Sequence, residues 1–171
     1  MPASHGRAPV WDAAVRVLHW ALAALVAFNL LRDDGDLVHR VAGYAAVGVV
    51  LARLAWAGLR EPTQLRLSPS ATLAYLRELV RGRAPRSAGH NPLGLWMVWL
   101  LWTLVLLLGL TGWMSRWDMF WGDERLHDLH AWLADALMVA VIVHLIGVSA
   151  MSWLWKENLP ASMITGGRRP D

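Results

Sequence analysis

The sequence predicts an all-α protein, an integral membrane four-helix bundle with a cytoplasmic interfacial helix between spans two and three. Three observations carry this. Hydrophobic residues fill 56% of the 171 positions and mean hydropathy is +0.36, too apolar and too sparsely charged for an ordinary soluble domain. Four apolar stretches, at about residues 15–31, 38–58, 92–114 and 127–155, are each long enough to cross roughly 30 Å of hydrocarbon as a helix. The charged residues gather in the segments between them. We read residues 1–171 as one transmembrane domain.

The first stretch is the shortest. It has no basic segment leading directly to a small-residue cleavage site, and acidic residues follow it, so we read it as a retained span rather than a signal peptide. The connection after it, residues 32–37, holds Arg32 against Asp33, Asp34 and Asp36, a net charge of −2. The connection at residues 115–126 holds Arg116 and Arg125 against Asp118, Asp123 and Glu124, a net charge of −1. Between Leu59 and Gly89 six arginines face two glutamates, a net charge of +4. The positive-inside rule then makes that connection and both termini cytoplasmic. Within it, Ser68-Pro69 has the form of a helix start, and Leu73, Leu76, Leu79 and Val80 fall on one face. This helix is expected to lie on the inner leaflet with its arginines toward anionic headgroups; a solvated loop helix is the alternative.

Composition also excludes chemistry. There is no cysteine, so disulfides, thiolate nucleophiles, iron–sulfur clusters and covalently attached haem are ruled out within the chain. The net charge of +3 is no sign of nucleic acid, because the basic residues flank apolar runs instead of forming one soluble face. Twelve tryptophans against two phenylalanines and two tyrosines favour membrane interfaces, and several stand near the ends of apolar runs.

Ionisable side chains inside spans are costly and normally mark function. His19, His39, His130 and His144 lie inside or at the ends of the predicted helices. His130 and His144 are 14 residues apart, within about 40° of one helix face and roughly 21 Å apart along the axis. His127 falls about 100° off that face and is the weaker candidate, while His5 is read as a tail residue. Sorted by depth, His39 meets His130 near the periplasmic side and His19 meets His144 nearer the cytoplasm. Paired imidazoles across a bundle suit the axial positions of a haem iron, and without cysteine haem b is the natural group. Tetrahedral zinc would need three or four ligands at one level, whereas these split two and two.

Small residues beside the histidines, among them Gly43, Ala134, Ala140 and Gly147, leave room for a planar macrocycle. Arg53, on the His39 face but at the cytoplasmic level, and Arg16, one turn before His19, are positioned to pair with haem propionates; Arg53 could instead snorkel to headgroups. Asp135, one turn beyond His130, is read either as a packing residue or as a proton-handling one.

The strings WDAAVRVLHW, HRVAGYAAVGVVLARLAW, GHNPLG, LTGW, HAWLADALMVAVIVHLIGV and ENLPASMITGGRR together resemble the bacterial cytochrome b561 family, which includes the cytochrome b subunit of nickel–iron hydrogenases. The resemblance covers nearly the whole chain. It implies four transmembrane helices, two haem b groups and metal ligands at His19, His39, His130 and His144, in agreement with the depth argument. It further implies electron exchange between a quinone or quinol and a periplasmic redox partner, such as a hydrogenase or a c-type cytochrome. The GHNPLG and ENL…MITG strings are similar to that branch more than to the branch that oxidises superoxide with quinone. In GHNPLG, His90 is read as a propionate or quinone contact or as part of an interfacial turn, with Asn91 as helix cap and Pro92 in the first turn. The extra His127 and the high tryptophan content depart from the pattern. The readings kept beside an electron-transfer component are a self-sufficient superoxide:quinone oxidoreductase and a non-redox transporter or anchor; a homodimer is compatible with all of them.

Overall fold

The computed structural model describes residues 11–32, 34–60, 65–83, 85–87 and 89–167. His5, Asp33 and Glu61 lie outside the described residues. The described chain forms helices α1 (Ala13–Leu31), α2 (Leu37–Arg60), α3 (Pro69–Val80), α4 (Pro92–Met114), α5 (Glu124–Trp155) and α6 (Leu159–Thr165), with a 3-10 turn at Asp118–Phe120. Four of them, α1, α2, α4 and α5, are long and apolar enough to cross a membrane. α5 begins three residues earlier than the hydropathy window, because Asp123 caps it: its carboxylate accepts the N–H groups of Arg125 and Leu126.

Caps set most of the other starts. Asp12 accepts the Val15 N–H at 2.8 Å to open α1, Ser68 accepts the Ala71 N–H before Pro69 to open α3, and Asn91 accepts the Gly94 N–H at 2.7 Å before Pro92 to open α4. The Asp36 carboxylate accepts the His39 N–H at 2.8 Å at the start of α2, and that bond holds its carboxyl below the ordinary range. Asp36 and Asp34 also pair with Arg32, so part of the acidic connection is satisfied internally.

The spans alternate in direction. One end of the bundle, where α1 and α4 begin and α2 and α5 finish, carries the arginine-rich connection and is called the basic end here; the other is the acidic end. Close backbone packing runs from α1 to α2, from α2 to α4 and from α4 to α5. Helix α5 does not pack in the same extended way on α1 or α2 among the described residues. Gly109 of α4 permits the tightest crossing: a Cβ there would collide with Val47 of α2. Ala46, Val50, Trp102, Leu104, Val105, Leu137 and Ala140 form the buried core among α2, α4 and α5, and Val50 is completely inaccessible. This apolar layer lies midway along the spans and divides the bundle into an upper and a lower half.

Helix α3 rests on α4, where the Trp96 indole N–H is donated to Thr72 Oγ1 at 3.1 Å, and its buried Tyr75 turns its hydroxyl toward Met151 of α5. Leu73, Leu76 and Val80 face outward, with Leu79 half-buried beneath them. The short α6 was not anticipated. It docks on α1 where the Trp20 indole donates to the Met163 carbonyl at 3.1 Å and Arg16 Nη1 to the Ile164 carbonyl at 2.5 Å. Gly166 ends it with a φ of +83°, a left-handed conformation suited to glycine.

Candidate functional site

The histidines meet in couples. His39 of α2 and His130 of α5 face each other at the acidic end with ring centroids 6.5 Å apart. His19 of α1 and His144 of α5 face each other toward the basic end, also at 6.5 Å. Both couples therefore bridge α5 to the two helices on which it does not pack closely. His127 is exposed and belongs to neither couple. Among the described residues no group of three or more His, Cys, Asp or Glu side chains converges as a metal-ion site.

The separation has a chemical meaning. Two metal–imidazole bonds of about 2 Å, with about 1.2 Å from each ring nitrogen to its centroid, put the centroids of a trans pair about 6.4 Å apart. Imidazoles that hydrogen-bond directly, or that stack, come closer. The observed 6.5 Å at both couples would admit one metal ion between the rings.

At the acidic end the backbone and a hydroxyl set the tautomers. His39 Nδ1 lies 2.5 Å from the Arg32 carbonyl oxygen, which can only accept, so Nδ1 carries the proton and Nε2 the lone pair. His130 Nδ1 lies 2.7 Å from Thr111 Oγ1. The same hydroxyl reaches the Leu107 and Leu108 carbonyls at 2.9 and 3.2 Å; with its proton on either, it accepts from His130 Nδ1–H and leaves Nε2 as the lone-pair nitrogen. Gly112 makes room for this ring: a Cβ there would sit 3.4 Å from His130 Cε1. Gly43, one turn after His39, faces Asn29 of α1.

At the basic end the polar surroundings are cationic. Arg53 is 7% exposed and lies over the Trp102 ring at 5.9 Å, so it does not snorkel outward. Arg16 keeps its Nε buried without a hydrogen-bond partner, although Nη1 is bonded to α6. His90 packs edge-on against Trp11 with centroids 4.8 Å apart. Burial, reinforced by the positive field of Arg53, pushes His90 down to about 4, so it is neutral at physiological pH. Asp12 accepts the Trp56 indole N–H at 2.9 Å; burial works against its charge, but the donors from Val15, Trp56 and Ala14 and the nearby Arg53 outweigh it and hold the carboxyl below its usual value. Asp135 is exposed on the outer side of α5.

Paired imidazoles are the donor set that a haem iron would take. A family model described as prokaryotic cytochrome b561 matches residues 10–166. The chain belongs to the prokaryotic cytochrome b561 family. Membership brings haem b binding and electron transfer within a membrane, carried here by four membrane-length helices. No curated protein and no solved structure matches the chain significantly.

As a member of the cytochrome b561 family the chain has polar groups around its histidines that sequence reasoning did not single out. Thr111 had a visible signal, as a polar residue within the apolar run of α4. The Arg32 carbonyl had none, because a backbone acceptor leaves no mark in residue type.

Proposed function

We propose that this cytochrome holds two haem b groups, one between His39 and His130 and one between His19 and His144, and relays electrons between the quinone pool and a redox protein on the acidic side of the membrane. The repeated 6.5 Å ring separation carries the reading. When bound between two imidazoles, haem b supplies reversible one-electron chemistry with no open position for oxygen.

The chain's own groups have distinct tasks in this reading. Arg32 and Thr111 hold the acidic-end imidazoles as Nδ1–H tautomers, with Nε2 free to ligate. The buried Arg53 and the unsatisfied Nε of Arg16 offer cationic donors to propionates at the basic end, where His90, neutral and half-buried, can hydrogen-bond a quinone. The apolar layer around Val50 keeps water from joining the two levels. The charge pattern supports a cytoplasmic basic end in a bacterial inner membrane. The outward Leu73, Leu76 and Val80, beside Arg77 and Arg81, support α3 lying along the inner leaflet.

The test is quinol-driven reduction. Purified chain mixed with a short-chain benzoquinol is expected to develop the absorption of reduced haem b. Full reduction by dithionite with none by quinol would remove the quinone pool from the reading.

A further inference from the structure

Asn29 is an amide near the end of a membrane-length helix, one turn before Arg32, whose carbonyl orients His39. Its Oδ1 is buried and has no hydrogen-bond partner. In a bundle surrounded by hydrocarbon such an atom is costly, and a leucine at this position would avoid the cost. The other end of the amide, Nδ2, stands 4.0 Å from where a Cβ on Gly43 would be, and Gly43 is one turn beyond His39 on α2. The last turn of α1 thus orients the ring of His39 and presents an unsatisfied amide beside the same stretch of α2.

We propose that Asn29 is a wall residue of the acidic-end site and that its carboxamide hydrogen-bonds a carboxylate on the edge of the tetrapyrrole gripped by His39 and His130. This rests on the haem reading above. A half-turn of the terminal torsion exchanges Oδ1 and Nδ2, so the buried position can receive either an acceptor or an N–H donor. A haem propionate needs the donor. The bond spreads the carboxylate's negative charge and favours the reduced iron; without it the acidic-end haem is harder to reduce.

The experiment is a spectroscopic redox titration of the full-length protein in detergent, with haem-to-protein ratios, for wild type, Asn29→Leu and Asn29→Asp. Single-haem variants His39→Ala and His19→Ala assign the two components. The expected result for Asn29→Leu is a lower midpoint potential for the component missing from His39→Ala, with the other unmoved. Asn29→Asp should shift it further in the same direction, or release that haem alone. Wild-type potentials in both variants, or an equal shift of both components, would overturn the proposal and leave Asn29 a packing or water-bonded residue. If Asn29→Leu does not accumulate, Asn29→Ser is judged by the same criterion. A wild-type protein without haem would defeat the parent reading, whereas two haems with unmoved variant potentials would defeat this proposal alone.

Discussion

Thr111 of α4 shares a hydrogen bond of 2.7 Å with His130 Nδ1 of α5, and its hydroxyl also reaches the Leu107 carbonyl one turn back at 2.9 Å. A helix that contributes no histidine to either couple thereby decides which nitrogen of His130 is available. Thr111→Val keeps the shape and removes the oxygen. It should weaken haem retention at the acidic end about 10- to 100-fold, the usual cost of losing a partner behind a metal-bound imidazole, and leave the basic-end haem in place. Haem release to an acceptor protein such as apomyoglobin, followed by absorbance, measures it.

The two couples are separated by the core layer around Val50, so they should fail independently. His39→Ala and His130→Ala are each expected to lose the same haem, and His19→Ala and His144→Ala the other. Each variant should keep about half of the wild-type difference spectrum, with the residual band identical within a couple. A variant that lost both haems while retaining its helical circular dichroism would contradict this independence.

Close approach of α2 and α4 depends on Gly109. A methyl there meets Val47, whose β-branched side chain has little rotamer freedom to yield. Gly109→Ala should destabilise the bundle by about 1–3 kcal/mol, the range for overpacking a filled core. A lowered midpoint of thermal unfolding in detergent, read by circular dichroism, checks this. Gly48, with nothing within 4 Å of its Cβ position, is the control that should tolerate alanine.

Asp12 links the start of α1 to Trp56 near the end of α2. Its carboxyl is held below the ordinary 3.8, so the folded state favours the charged form. The stability it adds is present above its unfolded value and is lost as pH falls through the lower folded one. Asp12→Ala should cost about 1–3 kcal/mol at pH 7, from the lost cap and the lost indole bond. Unfolding midpoints of the two proteins should converge below about pH 4.

Much of this was legible in the residues. The four spans follow from apolar run length, and the start of α4 from Asn91-Pro92, because a cap followed by proline leaves few alternatives to a helix start. The coupling of His39 with His130 and of His19 with His144 followed from depth alone, since antiparallel spans order their residues by height. Helix α6 was not foreseen: at seven residues it has no periodicity to detect, and it is held by carbonyl acceptors for Arg16 and Trp20. The burial of Arg53 over Trp102 could not be separated from snorkelling in the sequence, because the choice depends on how α2 turns toward α4. Asn29 drew no notice for a related reason. A lone amide near a span end looks like an interfacial residue until the neighbouring helix shows that its oxygen is enclosed.

The most direct measurement is the haem content of the purified chain, from a pyridine haemochrome assay against protein concentration, together with its dithionite-reduced minus oxidised spectrum. The account predicts two haem b per chain and the sharp bands of a six-coordinate, bis-imidazole cytochrome. A folded, helical protein without haem, or with a five-coordinate spectrum, would contradict it.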